Sequence, residues 1–343
     1  MTHKITFRSF GIELEVADGQ TILDAALNAK IDYPCGCQSG NCGACKSRLF
    51  AGDVDLAPYS TFALEDSERD QGLVLACRSI PLSNCEISPL DQDETVTHTH
   101  RTMNCRIQEI QTATHDIRTI AIEILDGAPL SFSPGQYATL TFPGLPPRDF
   151  SMANLPGENS LEFHVRHISG GRVSNHVVDR LKIDDKVKVE GPYGVSYLRE
   201  LHRGPIIAVA GSTGLAPIRS IVKRALRIGM KQSIYLYFGV RNEQDLYCTE
   251  EFEDLVQEYS SLSFIPVLSE TSSRLTENYR TGLVTDAVLT DFDDLDGCKA
   301  YIAGPPIMVE TAVQKFQLLG IRREDCHADA FYTELEKTAL ERN

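Results

Sequence analysis

Short runs of alternating apolar and polar residues mark the first ninety positions of the chain. Residues 5–16 alternate on both sides of Phe10-Gly11, which predicts a β-hairpin with its turn at that dipeptide. Thr21 stands before an apolar run, as helix-capping residues do, so a short helix is predicted to about Lys30. A last strand is predicted over residues 85–88, and the polar stretch after it indicates a linker.

Between residues 103 and 198 the alternation continues in short segments that are separated by glycine and proline. Residues 135–142 and 161–168 are examples of these segments. Many short strands of this spacing, joined by turn residues, are typical of a small antiparallel β-barrel. The middle of the chain is therefore predicted to be all-β.

From residue 205 onward the pattern changes to continuous apolar runs that alternate with helical segments. Apolar runs at 206–210 and 234–240 precede helical segments at 215–228 and 250–259. Strand and helix in alternation build βαβ units, which place the strands in one parallel sheet. This third region is predicted to be an α/β domain.

The length agrees with several domains, because 343 residues exceed what one hydrophobic core usually organises. The expected fold class is multidomain, with α+β, all-β and α/β parts in that order. The predicted bounds are a first domain over 1–93, a linker over 94–101, a barrel domain over 102–200, an α/β domain over 201–333 and a tail over 334–343.

Composition and charge exclude some classes of partner. Apolar residues are 42% and charged residues 24%, as in soluble globular proteins, and no apolar run approaches the length of a membrane span, so a cytoplasmic monomer is expected. A net charge of −15 argues against nucleic acid and an anionic membrane as partners. Residues 1–97 hold fifteen acidic and seven basic side chains, which permits a basic protein partner. An acidic surface that only maintains solubility is the alternative.

Four cysteines have the spacing of iron ligands. Cys37, Cys42 and Cys45 form a C-x4-C-x2-C pattern, and Cys77 follows after 31 residues. This is the ligand pattern of a plant-type [2Fe–2S] cluster. Without a secretory signal, such a group of cysteines indicates metal ligation rather than disulfides.

Two alternatives to this ligand set remain open. Cys35 is a second candidate for the first ligand, but its interval to Cys42 is six residues rather than four. A structural zinc site would more typically pair two C-x2-C knuckles. Cys37 is the predicted ligand, and residues 1–93 as a whole resemble a β-grasp plant-type ferredoxin.

The segment from Arg148 to Ser151 resembles the R-x-Y-S/T motif of the ferredoxin–NADP reductase superfamily, with Phe150 in place of tyrosine. The resemblance implies that Arg148 contacts the pyrophosphate of FAD, that Phe150 packs on the flavin ring, and that Ser151 acts near flavin N5. Arginine donors and closely approaching amides suit an anionic pyrophosphate. Further predicted cofactor-binding residues are His164, Val165, Arg166, Gly170, Gly171, Val173 and Ser174.

A glycine turn between a predicted strand and a helix indicates a coenzyme site, because it presents amides and a helix dipole to a phosphate. The turn resembles the G-G/S-T-G-x-A-P motif of the same superfamily, and residues 301–308 resemble its C-G-P-P-x-M motif, with Ala303 replacing the family cysteine. The predicted coenzyme residues are Gly211, Thr213, Gly214, Pro217, Gly304, Pro305 and Met308.

The segment after the predicted strand at 234–240 bears on the choice of coenzyme. Arg241 would favour a 2′-phosphate, whereas Glu243 and Asp245 would oppose one. NADH is the predicted coenzyme, with NADPH as the alternative.

Three further segments resemble the reductase components of aromatic ring-hydroxylating dioxygenases. They lie at residues 114–118, 237–241 and 327–332, and the last of them implies that Phe331 acts near the flavin. With the domain order, this resemblance covers nearly the whole chain.

These parts together predict an electron-transfer function. Hydride carries two electrons whereas an iron–sulfur cluster accepts one, and a flavin bridges the difference. No plausible oxygen-activating set is present, since His115, His164 and His167 fall on separate barrel segments. The resemblance implies a Rieske ferredoxin or a terminal oxygenase as acceptor. The alternatives are a reductase for a soluble di-iron monooxygenase, and a non-catalytic carrier or zinc module.

Overall fold

The computed structural model describes residues 2–90, 94–270, 279–334 and 336. The chain divides into two compact units, Met1–Thr97 with Tyr332–Asn343, and His98–Phe331. Within the described ranges, none of the helices has the length and apolar character needed to cross a membrane.

The first unit is a mixed sheet with one main helix. Its elements are β1 (Thr2–Phe7), β2 (Ile12–Ala17), α1 (Ile22–Asn28), β3 (Lys46–Ala51), β4 (Val54–Leu56), α2 (Asp66–Asp70), β5 (Leu73–Leu75), β6 (Ser79–Pro81) and β7 (Cys85–Pro89). The sheet order is β2-β1-β7-β3-β5, with β1 parallel to β7, while β4 pairs with β6. The predicted hairpin and helix are confirmed, although the helix ends at Asn28.

Helix α1 holds the segment that carries the last predicted cluster ligand. It begins where the Thr21 hydroxyl accepts a hydrogen bond from the Asp24 amide, at 3.1 Å. The Leu23 amide donates to the carbonyl of Ala76 at 3.0 Å. Because Leu23 is fully buried, this bond fixes the backbone immediately before Cys77.

The second unit begins with a nearly closed antiparallel barrel. Its elements are β8 (Arg101–Thr112), β9 (Ile117–Ile124), β10 (Tyr137–Thr141), β11 (Arg148–Ser151), β12 (Ser160–Arg166), α3 (Arg172–Asp179) and β13 (Lys186–Tyr193). The strand order is β11-β10-β13-β8-β9-β12. Among the described residues a single bridge, between Met152 and Phe163, joins the two ends, so an open side remains between β11 and β12. The predicted barrel is confirmed.

A parallel sheet completes the second unit. Its elements are β14 (Ile206–Gly211), α4 (Leu215–Arg227), β15 (Ile234–Val240), α5 (Thr249–Glu258), β16 (Leu262–Leu268), β17 (Arg280–Thr281), α6 (Val284–Asp291), β18 (Lys299–Gly304), α7 (Pro306–Leu318) and β19 (Cys326–Ala330). The order is β17-β16-β15-β14-β18-β19, and every pairing is parallel. The predicted α/β domain is confirmed.

The strand order locates the crevice of this sheet. From β14 the chain proceeds outward through β15, β16 and β17, and it then returns to the other side of β14 as β18. Ligands of open α/β sheets bind at the carboxyl ends of the strands where the order reverses. That point is the junction of β14 and β18, where both predicted coenzyme motifs begin.

Candidate functional site

The predicted cluster cysteines converge on one loop. Cys37, Cys42 and Cys45 precede β3, and Cys77 follows β5, which pairs with β3. The Asn41 amide donates to the sulfur of Cys37 at 3.2 Å, and the Cys37 amide donates to the sulfur of Cys42 at 3.3 Å. Backbone amides therefore already point at sulfur, as they do around bound clusters.

The four thiols interact as two pairs. A hydrogen bond from Cys42 lowers the pKa of the Cys37 thiol to about 5. A hydrogen bond with Cys45, together with burial, raises the pKa of the Cys77 thiol. Since each iron of a [2Fe–2S] cluster takes two thiolates, two adjacent pairs are the arrangement that such a cluster requires.

The separation of the thiols does not suit a single zinc ion. Four thiolates at about 2.3 Å from one zinc lie only about 3.8 Å from each other. In the part of the chain that the structure describes, one trio of possible ligands has its atoms within 4.8 Å of one another, and it is His115, Asp116 and Asp245. No three thiols in the described part of the chain approach that closely, which argues against a single zinc ion at this loop.

One buried donor beside this loop also fits an anionic cluster. The Nε of Arg78 has no hydrogen-bond partner among the described residues. A buried donor without an acceptor is costly, and the sulfur atoms of a cluster are acceptors. Cys35 is buried as well, and the choice of Cys37 rather than Cys35 stays a prediction.

The open side of the barrel carries the predicted flavin residues. Strand β12 pairs with β9 along one edge, and beyond Phe163 its other edge has no strand partner at His164, Val165 and Arg166 among the described residues. Unpaired strand edges offer rows of donors and acceptors. Across the opening, β11 contributes a half-buried Phe150 and a buried Ser151.

The side chain of His164 does not face this opening. It is fully buried, with Nδ1 2.9 Å from the Tyr247 hydroxyl and Nε2 3.2 Å from Glu162. Burial lowers the pKa of His164 and favours the neutral ring. The imidazole of His164 is thus engaged within the protein. Tyr247 could not be found from the sequence, because 83 residues separate it from His164.

The other predicted flavin residues surround the opening. Arg148 donates to the neighbouring Pro147 carbonyl at 2.7 Å, and Arg166 donates to Asp116 at 2.8 Å. Gly171 precedes helix α3, whose first turn contains Val173 and Ser174, both buried. Gly170 is exposed immediately before it. A helix start of this kind presents free amides, which suit a pyrophosphate.

Strand β19 brings the C-terminal motif to the flavin residues. Ser151 donates to the Asp329 carboxylate at 3.2 Å, although 178 residues separate the two. Two residues further on, the amide of Phe331 donates to the carbonyl of Gly304 at 2.9 Å. Ser151, Gly304 and Phe331 were predicted from separate motifs, and these bonds gather them in one region.

The two predicted coenzyme motifs form one surface. Ala210 of β14 pairs with Ala303 of β18, so Gly211 and Gly304 end adjacent strands. A side chain at Gly214 would place its Cβ 2.0 Å from the Ala303 carbonyl oxygen, which only glycine avoids. Thr213 lies in the same turn, and Pro217 is buried in the first turn of α4.

A cavity of about 240 Å³ opens at this surface. Of the predicted residues it is lined by Arg166, Gly211, Arg241, Pro305 and Met308. Residues that the sequence did not indicate also line it, among them Asp116, Leu283 and Val284. The cavity lies at the strand-order reversal, as expected for a dinucleotide.

The carboxylate of Asp245 lines this cavity and offers it a hydrogen-bond acceptor. Its Oδ2 accepts from the Asn242 amide at 3.3 Å and lies 3.5 Å from Nε of Arg241. Its Oδ1 is buried, without a hydrogen-bond partner in the described ranges. A buried carboxylate oxygen in a coenzyme cavity suits a ribose hydroxyl and opposes a phosphate.

A buried charge network joins the barrel to the parallel sheet. Arg219 donates to Glu162 at 3.0 Å, to Glu251 at 2.6 Å and to the Ala153 carbonyl at 2.9 Å. Burial raises the pKa of Glu162, but the hydrogen bond from His164 and the charge of Arg219 outweigh it and lower that pKa to about 2. Glu162 is therefore ionised at neutral pH and holds the two layers together.

These features define a class of protein, a pyridine-nucleotide oxidoreductase that contains flavin and iron–sulfur sites. Family models match in the same order: a 2Fe-2S iron-sulfur cluster binding domain over 5–82, an oxidoreductase FAD-binding domain over 104–198 and an oxidoreductase NAD-binding domain over 208–314.

Comparison with whole proteins gives the family. The chain is 38% identical over 314 residues to the naphthalene 1,2-dioxygenase system ferredoxin–NAD(P)(+) reductase component of Pseudomonas putida, covering 92% of this chain and 94% of that protein. It is 35% identical to a phenol 2-monooxygenase reductase component of Pseudomonas sp. strain CF600, covering 97% and 95%. The crystal structure of an Amycolatopsis cytochrome P450 reductase matches with a TM-score of 0.80, 32% identity and coverage of 96% and 99%. The chain belongs to the family of oxygenase-system reductase components, and it is an NAD(P)H-dependent flavin and iron–sulfur oxidoreductase.

Proposed function

We propose that this chain moves electrons from NADH, through FAD and a [2Fe–2S] cluster, to a Rieske ferredoxin or oxygenase of an aromatic ring-hydroxylating dioxygenase system. The observation that carries the proposal is the meeting of the flavin and coenzyme motifs. Ser151 bonds to Asp329 on β19, and Phe331 at the end of that segment bonds to Gly304. A flavin on the open barrel edge would thus adjoin a nicotinamide at the end of β18, as direct hydride transfer requires.

In this proposal each group of side chains has a definite task. Arg148 and the start of α3 would hold the FAD pyrophosphate, while Phe150 would pack on the flavin ring and Ser151 would lie near N5. Bound FAD supplies the step between two-electron and one-electron chemistry. The Gly211 and Gly304 turns would admit the dinucleotide, and Phe331 would lie near the flavin. Cys37, Cys42, Cys45 and Cys77 ligate the cluster.

Purified protein is expected to contain one FAD, two irons and two labile sulfides per chain, because one flavin site and one set of four paired thiols are proposed. Flavin extraction, metal analysis and sulfide determination on the same sample test this. Stoichiometric zinc, or the lack of flavin after reconstitution with FAD, would contradict the proposal.

The acceptor is the second point to test. The similarity to the naphthalene dioxygenase reductase supports a Rieske partner, whereas the phenol 2-monooxygenase relative supports a reductase for a monooxygenase. Rapid-mixing experiments should show that the reduced protein transfers electrons at least about tenfold faster to a Rieske ferredoxin than to a di-iron hydroxylase, since specific docking patches govern such rates. The reverse preference would assign it to the monooxygenase class.

Arg241 is expected to govern the use of NADPH. It lines the coenzyme cavity and is half-exposed, so its guanidinium can pair with a 2′-phosphate. Arg241→Ala should lower kcat/KM for NADPH by roughly ten- to 150-fold, the loss of a charge-assisted pair, and should leave the NADH value nearly unchanged. The exposed Arg227→Ala is the matched control. An unchanged ratio of the two coenzymes would remove Arg241 from the site.

A further inference from the structure

Arg78 directly follows the proposed ligand Cys77, and its side chain lies against the cluster loop. A Cβ built at Gly40, between Cys37 and Cys42, would meet Cγ of Arg78 at 2.8 Å and Cδ at 3.0 Å. Gly40 has a φ of +79°, and its carbonyl accepts from the Ser60 amide at 3.0 Å. The loop is therefore held with its backbone directly on the stem of Arg78.

The guanidinium of Arg78 is bonded to none of the described residues. Its Nε, bonded to the Cδ beside Gly40, is buried without an acceptor among the described residues. The Arg78 amide donates to the carbonyl of Leu75, and its carbonyl accepts from the amide of Ala57. Its side chain forms no ion pair with any described residue. A cation that is half-buried and uncompensated costs free energy unless a negative group lies close to it.

A cluster bound by the four cysteines is such a group. The four thiolates and two sulfides together carry more negative charge than the two ferric irons carry positive charge, so the cluster is anionic when oxidised, and uptake of one electron makes it more so. A neighbouring cation stabilises the reduced form more than the oxidised form. A hydrogen bond to sulfur acts in the same direction.

We propose that Arg78 is a positioning residue that sets the reduction potential of the cluster, by placing its charge and its Nε–H beside the ligand Cys77. The proposal rests on the cluster ligands proposed above. Its role is to make the cluster a more favourable acceptor for single electrons from the flavin. Gly40 serves the same end, because any side chain there would displace Arg78 from the loop.

Spectroelectrochemical titration of the full-length holoprotein tests this. Arg78→Met removes both the charge and the donor, and Arg78→Gln removes the charge while keeping an amide donor. Both variants should lower the equilibrium constant for cluster reduction by about tenfold or more, which is about 59 mV for one electron. The matched control is Arg48→Met, because Arg48 is an exposed cation of the same unit whose side chain donates to the Gln71 carbonyl. Its cluster potential should stay at the wild-type value.

Arg78→Lys separates the two contributions to the effect. If the cluster potential of this variant equals that of the wild type, the positive charge of Arg78 sets the potential. If it is lowered, the Nε–H hydrogen bond sets it. Either outcome supports the proposal. Cluster potentials in Arg78→Met and Arg78→Gln that equal that of Arg48→Met would overturn it. Iron and sulfide analysis of each sample distinguishes failure of this proposal from failure of the ligand assignment. The ligand assignment fails if the wild-type protein contains no cluster.

Discussion

Cys42→Ser is expected to abolish the reduction of cytochrome c by NADH while sparing the reduction of ferricyanide. Cys42 forms one of the two thiol pairs, and its sulfur also accepts from the Cys37 amide. Loss of the Cys42 thiolate should lower the rate of electron transfer through the cluster by about a hundredfold or more. That is more than the effect of removing a group that only hydrogen-bonds to a metal ligand. Ferricyanide can accept electrons from flavin directly, and the flavin residues belong to the other unit, so that rate should change by less than about twofold.

Cys85→Ser provides the control for this experiment. Cys85 is buried in the same unit but lies outside the predicted ligand set, and its thiol is 3.3 Å from the carbonyl oxygen of Ser83 and 3.5 Å from that of Asp53. Both activities and the iron content should survive this change. A parallel loss of both activities in Cys42→Ser would contradict the assignment of flavin and cluster to separate units.

Arg219→Met is expected to have the largest effect on stability. The variant leaves the carboxylates of Glu162 and Glu251 without their shared cation, and the Arg219 side chain is only 12% exposed. Removing one partner of a buried ion pair typically costs about 3 to 5 kcal/mol in the free energy of unfolding. Urea unfolding at pH 7 measures the difference. Lys223→Met is the control, because Lys223 reaches only Glu251, at a 29% exposed site, and should cost at most about 1 kcal/mol.

The same network predicts how stability depends on pH. The pKa of Glu162 in the folded chain is about 2, below its ordinary value of 4.5. A lowered pKa contributes stability that is fully present above the ordinary value and is lost as the pH falls from 4.5 toward 2. In Arg219→Met the pKa of Glu162 should rise, and the acid-induced loss should shrink. Equal unfolding free energies for the Arg219 and Lys223 variants at pH 7 would contradict the stabilising role of this network.

Local spacing in the sequence accounts for much of the cluster site. Cys37, Cys42 and Cys45 lie within one short loop, so their intervals alone restrict which metal they suit. Likewise, the alternation in residues 5–16 and the apolar runs near 206–210 predict strands, because side-chain direction within a strand is a local property. The order of such elements was sufficient for the barrel and the parallel sheet.

Which distant residues meet depends on the tertiary fold. The Ser151–Asp329 bond, the orientation of His164 toward Tyr247 and the Arg219 network all join residues that are tens to hundreds of positions apart. Even Arg78, adjacent to a predicted ligand, gains its position from packing against Gly40. The periodicity of the sequence does not reveal such pairs, because they depend on how strands pair and how layers pack against each other. Local patterns in the sequence are enough to predict the three kinds of domain and the chemistry that each can hold, whereas the packing of the strands decides which side chains reach that chemistry.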